Sequence, residues 1–278
     1  MSTKAATTLD RAAPARGGVP FTRRVLDVLL SDVAARITSY VVFLLIWQLL
    51  SALYDRVPGP VEVVDLLIDE FQRGVVWDNF SVTVDRFFTG LVVALVAGLV
   101  LGLLIGMWPL ARALLKDTMT VGLAIPAIIW ALLTALWFGF NWKAPVLTVA
   151  LTATPFVAVN VTQGVQAVPR DLLRMSKAFG VPVTRRVRLL VLPFVMDYVF
   201  TGLRFGIILG WNGVLLSEWF ASTEGVGWQA RYWYDANNFT GFVAWVVLFV
   251  GFIVIFDRLV LVPIQNRVFR WRTTIARR

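Results

Sequence analysis

The sequence predicts an all-α polytopic membrane protein with about six transmembrane helices. One observation behind this prediction is composition: 58% of the 278 residues are hydrophobic, 15% are charged, and the mean hydropathy is +0.75. Soluble domains are about 45–50% apolar and about 25% charged. The other observation is a series of uncharged stretches of about 20 residues, the length that an α-helix needs to cross a bilayer. Intrinsic disorder is therefore excluded, and an ordinary soluble domain is disfavoured.

Six apolar stretches define the predicted spans. Five carry no charged residue, and the fifth in chain order is interrupted by Asp197 and Arg204. The stretches cover residues 37–54, 87–111, 118–142, 144–169, 189–217 and 236–256. Since no short apolar run follows the first methionine, we predict a retained first helix and no cleaved signal peptide.

Basic residues are concentrated on one side of these spans. When sides are assigned by alternation, 20 of the 26 Lys and Arg residues fall on one side, five fall on the other, and Arg204 lies within a span. Cytoplasmic segments of membrane proteins carry such an excess. We therefore predict that both termini are cytoplasmic. The net charge of +9 then reflects membrane orientation and does not indicate nucleic-acid binding.

The segment 58–80 falls on the predicted external side and is amphipathic. It carries five carboxylates, while Val64, Leu67, Ile68 and Phe71 recur at helical spacing. We predict a helix that lies at the outer membrane surface. Simple packing with a solvated polar face and docking of a partner both remain open.

The loop between the fourth and fifth spans has the pattern of two short helices. Pro169 suits a first helical turn, and Asp171 complements the positive N-terminal end of a helix. Gly180 followed by Pro182 predicts a helix stop, and Thr184 is the predicted cap of a second helix.

The first of these helices has one apolar and one basic face. Leu172, Met175 and Phe179 share the apolar face. The basic face carries Arg170, Arg174 and Lys177. Two interpretations remain open: an interfacial helix held by anionic lipid, and a docking element whose apolar ridge enters a groove on a cytoplasmic partner.

This loop also resembles the "EAA" loop of bacterial ABC importer permeases. That pattern reads Glu-Ala-Ala, three residues, Gly, nine residues, Ile-x-Leu-Pro. Here Gly180 is followed by nine residues and by Leu-Val-Leu-Pro at 190–193, while residues 174–176 are Arg-Met-Ser in place of Glu-Ala-Ala.

Further segments, in the same order, resemble permeases of the nitrate/sulfonate/taurine type, and the similarity extends over residues 57–271. Leu132 stands where that group usually has a second proline, so the usual cause of a helix kink is missing at that position of the third span. The matching pieces are residues 81–90 with Arg86, Ile125-Pro126, Trp130, residues 136–139, residues 201–204, Glu218, Gly225 and Gly227.

The resemblance implies the membrane subunit of an ATP-driven importer in a bacterial inner membrane. Two permease copies would form the pathway, a cytoplasmic ATPase dimer would bind ATP and Mg, and an external binding protein would deliver substrate. This chain would bind no cofactor and no metal. The residues implied in ATPase coupling are Asp171, Leu172, Arg174, Met175, Lys177, Ala178, Phe179, Gly180, Leu192 and Pro193.

A second set of residues is predicted for the translocation pathway: Pro126, Trp130, Arg204, Trp211, Asn212 and Glu218. Arg204 either attracts an anion in the pathway or, as we favour, snorkels or forms a local ion pair; Asp197, seven residues away, lies near the same helix face. Glu218 either contacts the binding protein or is a solvated charge at a helix end.

The predicted organisation joins these parts into five segments. They are a cytoplasmic tail (1–35), a first transmembrane helix (36–56), an external amphipathic segment (57–83), a permease core with five transmembrane helices and the coupling loop 168–190 (84–265), and a basic cytoplasmic tail (266–278).

Two function classes compete with a non-catalytic permease: an intramembrane enzyme and a secondary transporter or channel. The chain has no His and no Cys, which excludes thiol catalysis, His-based triads and thiolate or imidazole metal sites. It also lacks a phosphate-binding loop that ends in Gly-Lys-Ser/Thr, so ATP must be bound elsewhere. The alternative is an ATPase-independent secondary transporter or channel, which would leave the patterned loop unexplained. The predicted substrate is a small anion such as nitrate, a sulfonate or taurine, or a small organic nutrient.

Overall fold

The computed structural model of the protein describes residues 32–268; residues 1–31 and 269–278 lie outside this range. Every regular element within the described range is a helix. The α-helices are α1 (Asp32–Leu53), α2 (Pro60–Gln72), α3 (Val75–Met107), α4 (Pro109–Ala124), α5 (Ala127–Phe138), α6 (Lys143–Gln166), α7 (Arg170–Ala178), α8 (Val183–Arg186), α9 (Leu192–Ala221), α10 (Val226–Asp235), α11 (Phe239–Phe256) and α12 (Val262–Val268). Two π-helical segments, Val187–Val191 and Asp257–Leu261, lead into α9 and α12.

The chain divides into two compact units. The first, Met1–Asp55, holds α1, whose residues Ala34–Leu53 are apolar enough to cross a membrane. The second unit, Arg56–Arg278, holds the other helices. The predicted tails, 1–35 and 266–278, fall almost entirely outside the described residues.

Among the described residues, five helical stretches are long and apolar enough to span a membrane, and a bent pair supplies a sixth span if its halves count as one. The prediction of an all-α polytopic membrane protein is thereby confirmed. The stretches are Ala34–Leu53, Val75–Met107, Lys143–Gln166, Val183–Ala221 and Phe239–Gln265, with Pro109–Ala124 and Ala127–Phe138 as the bent pair. The 39-residue stretch Val183–Ala221 extends beyond the bilayer, since a helix of that size is about 58 Å long and the hydrocarbon core is about 30 Å thick.

The third predicted span is broken by Pro126. The axes of α4 and α5 differ by 100° in direction. Ile125 adopts an extended backbone with ψ 118°, because the ring of the following proline disfavours helical geometry at the preceding residue. Leu132 lies within the unbroken α5, so the bend requires no second proline.

The amphipathic segment is shorter than the predicted 58–80. Helix α2 ends at Gln72, Gly74 follows with a left-handed φ of 79°, and Val75 already begins the long α3. A left-handed glycine stops a helix because other residues adopt that geometry at a cost. The predicted apolar face of α2 points outward, with Val64 and Ile68 about half exposed.

The face of α2 that packs onto the protein carries Val63 and Glu70, which are buried. Burial raises the pKa of the Glu70 carboxyl above its ordinary value of 4.5, against the opposing attraction of Arg73. An acid with a raised pKa in the folded state stabilises the fold below its ordinary pKa, and this contribution is lost as the pH rises.

Replacing Glu70 by glutamine is therefore expected to raise the thermal stability of the purified protein at about pH 8 and to change it little at about pH 4, because the cost of burying the charge disappears. Thermal unfolding in detergent at both pH values measures the effect. Asp65→Asn, on the exposed side of the same helix, is the matched control. Equal changes in thermal stability at both pH values for Glu70→Gln would contradict a raised pKa of the Glu70 carboxyl.

The centre of the second unit is a close contact between the parallel helices α3 and α6. A row of small residues on α3, at Gly90, Gly98 and Gly102, faces α6. A Cβ atom at position 98 would lie 2.5 Å from the Cβ of Val157. Small residues allow helices to approach closely in membranes, where packing drives association.

An aromatic cluster next to this contact joins α3, α9 and α11. The indole of Trp211 is fully buried and stacks on Phe87, with ring centroids 4.0 Å apart and planes inclined by 4°. Phe249 and Phe252 approach Trp211 edge-on. This packing places α9 against α3 and thereby positions the polar residues described next.

Candidate functional site

In the described part of the second unit, one end of the helices is rich in basic residues; we call it the basic end, and the other the opposite end. The basic end is where α3 meets α4 and where α6 is followed by α7 and α8. Its cationic residues are Arg112, Lys116, Arg170, Arg174, Lys177, Arg185, Arg186 and Arg188. At the opposite end, the segment 222–235 meets the beginning of α3.

A buried ion pair lies at the opposite end, between α3 and α9. Arg86 donates to Glu218 Oε1 over 3.0 Å, and both side chains are 3% exposed or less. Thr83 also donates its hydroxyl to the Glu218 carboxylate, at 2.9 Å from Oε2. Arg86 makes further bonds to Ser222 and to the Glu224 carboxylate, the latter over 2.7 Å. We call these five residues the Arg86–Glu218 cluster.

The cluster also holds the backbone that follows α9. Gly227 N–H donates to Glu218 Oε2 over 3.0 Å, and Val226 N–H donates to the Thr83 hydroxyl over 2.9 Å. Gly225 has a φ of 103°, and a Cβ there would collide with the Glu218 carboxylate. The cluster therefore fixes the start of α10 against α3.

This arrangement corrects both interpretations of Glu218 made from the sequence. Each of them placed its carboxylate in contact with solvent or with another protein, whereas the side chain is 0% exposed inside the subunit. The reason is tertiary: Arg86 stands 132 residues earlier in the chain and meets Glu218 because α3 and α9 pack together.

A second ion pair lies toward the basic end of the spans. Arg204 on α9 donates to Asp257 Oδ1 over 3.1 Å and to Gln265 Oε1 over 3.2 Å. Arg204 thus forms an ion pair, but its acceptor, Asp257, lies on the neighbouring span, so the pair differs from the local one favoured from the sequence. The side chains of Arg204 and Asp257 are 40% and 29% exposed.

Arg204 borders a surface cavity of about 450 Å³. Thr201, Phe205, Ile208 and Asn212 form an exposed row along the same helix, at spacings of four, three and four residues. Charged and amide side chains are costly against lipid. This face of α9 is therefore expected to contact water or protein.

The six predicted pathway residues are not brought together. Trp211 and Glu218 are completely enclosed in the subunit, so neither reaches a surface along which a substrate could move. Arg204 borders the surface cavity and Asn212 lies in the exposed row of α9, while Pro126 and Trp130 lie at the bend between α4 and α5. The pathway role of these four residues stays a prediction.

The patterned loop at the basic end contains the predicted first helix, as α7. Pro169 precedes α7, Asp171 lies in its first turn, and Gly180 follows with a left-handed φ of 65°. The predicted cap of the second helix is wrong: Pro182 precedes α8, and Thr184 lies within it.

The outward face of α7 is apolar and unusually open. Phe179 is 79% exposed and Met175 is 53% exposed, while Leu172 is half-buried. Arg174 has a weak contact with Asp171 over 3.9 Å, and both side chains are largely exposed. Leu192 and Pro193 begin α9 beyond the loop and are exposed as well.

Residues 90–266 match the family described as the binding-protein-dependent transport system inner membrane component. The chain belongs to this family. It is thus a multi-pass inner-membrane permease subunit, as the resemblance predicted.

Curated relatives of the permease come from several organisms. It is 25% identical over 253 residues to the taurine transport system permease protein TauC of Escherichia coli (strain K12), covering 86% of this chain and 90% of the relative. It is 27% identical over 209 residues to the nitrate import permease protein NrtB of Leptolyngbya laminosa, covering 72% and 74%. It is 25% identical over 236 residues to the bicarbonate transport system permease protein CmpB of Synechococcus elongatus, covering 78% and 83%.

Two solved structures have the same fold. The inward-facing MetNI methionine ABC transporter matches with a TM-score of 0.55 and 22% identity, covering 70% of this permease and 94% of that chain. An amino acid ABC transporter crystallised with histidines matches with a TM-score of 0.58 and 17% identity, covering 73% and 97%.

Sequence reasoning missed several functional candidates of the permease. Arg204 has two acceptors, Asp257 and Gln265, and the sequence did not identify either of them. Both follow an apolar stretch, where polar residues are rare. The two π-helical segments were missed too, although a nearby proline in the sequence indicates each of them. Both end two residues before a proline, at Pro193 and Pro263, which cannot donate the backbone hydrogen bond that a regular helix needs.

Proposed function

We propose that this permease forms the translocation pathway of an ATP-driven importer as a dimer and is driven by a separate ATPase that docks on the loop 168–192. The observation that carries this proposal is the outward face of α7, where Met175 and Phe179 are exposed beside the left-handed Gly180. Exposed large apolar groups on a short rigid helix are typical of a protein-docking surface.

The proposal includes an orientation of the permease in the membrane. The basic end faces the cytoplasm, following the excess of Lys and Arg on that side, and the ATPase there binds ATP and Mg. The opposite end, held by the Arg86–Glu218 cluster, faces outward and receives the substrate-binding protein. Closure of the ATPase dimer would move two copies of α7, and rigid helices would transmit that motion because packed elements switch between discrete arrangements.

The proposed substrate is a small anion or a small organic nutrient. Three relatives are named for taurine, bicarbonate and nitrate, each of which carries an anionic group. The half-exposed guanidinium of Arg204 beside its cavity is compatible with an anionic substrate.

Co-expression of the permease with candidate ATPase and binding-protein subunits, followed by purification and reconstitution, tests the proposal. The expected result is a complex that contains two permease copies and takes up substrate when ATP and Mg are supplied. The alternative is an ATPase-independent secondary transporter or channel. Uptake driven by an ion gradient in the absence of any ATPase would favour that alternative.

Arg174 provides a sharper test of the docking surface. Because Arg174 replaces the glutamate of the family pattern, we infer that the ATPase offers a carboxylate opposite it. Arg174→Glu is then expected to weaken ATPase binding by about tenfold or more, as charge pairs across interfaces commonly do. Binding of the ATPase to immobilised permease measures the effect, and Arg258→Glu, an exposed residue outside the loop 168–192, is the matched control. Unchanged ATPase binding and unchanged uptake would contradict the inferred pairing of Arg174 with an ATPase carboxylate.

A further inference from the structure

Three helices of the second unit converge on a groove at the basic end. Its cationic lining comes from Arg112 and Lys116 on α4 and from Arg170 and Lys177 on α7. Gln163 and Gln166 of α6 add amide groups. The groove consists of two adjoining cavities of about 330 and 520 Å³ that share Arg112 and Gln166. We call it the basic groove.

Each helix contributes one face to the basic groove. On α7, Arg170, Leu173 and Lys177 follow each other at spacings of three and four residues, so they share one side of the helix. The apolar ridge with Met175 and Phe179 lies on the opposite side of α7. A ligand in the groove and a protein on the ridge therefore contact different faces of the same helix.

The charge of the basic groove is uncompensated within the described part of the chain. No Asp or Glu is among the described residues that line it. Arg112 is held in place by its bonds to the backbone carbonyls of Ile105 and Gly106, over 3.2 and 2.9 Å, at the end of α3. Among the residues that the structure describes, no carboxylate forms an ion pair with Lys116, Arg170 or Lys177.

The position of the groove identifies the anion that it meets. Its walls include Met107, the last residue of α3, and Gln166, the last residue of α6, and both helices are membrane spans. The groove thus opens where the spans leave the apolar layer. Phospholipid headgroups occupy that level, and basic pockets between transmembrane helices bind anionic ones.

We propose that the basic groove binds the phosphate headgroup of an anionic phospholipid. Four cationic side chains surround the phosphate, and the amides of Gln163 and Gln166 supply further donors. The bound headgroup ties α7 to α4 and α6, so it stiffens the helix whose outer face is the proposed ATPase-docking surface. This site is independent of the proposed function, since the groove exists whether or not an ATPase docks.

Native mass spectrometry of the full-length permease in detergent tests the proposal. The protein is incubated with equal amounts of phosphatidylglycerol and phosphatidylcholine, and the bound lipid is counted. We expect the wild-type protein to retain phosphatidylglycerol in preference. The double variant Lys116→Gln/Arg170→Gln is expected to bind it about 25-fold more weakly, from the known contribution of each basic residue near a membrane surface.

The matched control is Arg188→Gln/Arg258→Gln, which removes the same charge from exposed positions outside the groove. It is expected to bind phosphatidylglycerol as the wild type does, and thermal unfolding shows that both double variants are folded. An equal loss in the control, or equal binding of the two lipids by the wild type, overturns the proposal. Release of phosphatidylglycerol by inorganic phosphate or taurine also overturns it, because the groove would then be a site for small soluble anions.

Discussion

Replacing Arg86 by methionine is expected to lower the free energy of unfolding of the permease by about 3–5 kcal/mol, as the loss of one partner of a buried ion pair does. The carboxylate of Glu218 is 0% exposed and would keep Thr83 and the Gly227 N–H as donors but lose its compensating charge. The second acceptor of Arg86, Glu224, is 55% exposed and is rehydrated easily. Denaturant titration of the purified protein in detergent measures the change.

The surface pair of Arg73 and Asp69 provides the control. Its atoms approach to 2.6 Å, but the side chains are 65% and 46% exposed. Arg73→Met is expected to cost less than about 1 kcal/mol, because exposed ion pairs are solvated in both states. The double variant Arg86→Met/Glu218→Leu is expected to recover part of the loss, since no lone charge stays buried. Equal costs for Arg86→Met and Arg73→Met would mean that the cluster does not hold α10 on α3.

Replacing Gly98 by leucine is expected to destabilise the permease by about 3 kcal/mol and to abolish uptake, because overfilling a packed contact forces backbones apart. Even a Cβ at position 98 would lie 2.5 Å from Val157 Cβ, and the larger side chain has no space between α3 and α6. The helices α7 and α9, which follow α6, would shift with it. Denaturant titration and uptake by the reconstituted complex measure the two effects.

Gly251→Leu is the matched control, because a Cβ at Gly251 of α11 would meet no atom within 4 Å. It is expected to leave stability and uptake close to those of the wild type. Full uptake by Gly98→Leu would show that the contact between α3 and α6 opens without cost, which contradicts the close packing found along Gly90, Gly98 and Gly102.

The spans and the ends of the loop helix were predictable because their causes are local. A bilayer contains no water, so a chain that crosses it must satisfy its backbone within one helix and expose apolar side chains. Length and hydropathy of a continuous stretch report this directly. The stop of α7 at Gly180 was predictable for a similar reason, since a left-handed turn favours glycine regardless of the rest of the fold.

Errors occurred where a boundary depends on one backbone angle or on a neighbour. The segment predicted over 58–80 was divided by Gly74, and residues 75–80 joined α3. The bend at Pro126 is local, yet the size of its angle depends on the packing of α5 against α6 and α9. The cap assigned to Thr184 was wrong because Pro182 is the N-cap and the helix begins at Val183.

By itself, the sequence determined the class of protein, the apolar stretches that span the membrane and the helical loop with an apolar ridge. These features depend on residues that are close in the chain and on the solvent that each segment meets. Only the tertiary structure decided which charges are partners. Arg86 meets Glu218, and Arg204 meets Asp257. These pairs are separated by 53 to 132 residues, and hydropathy carries no information about which helices pack together.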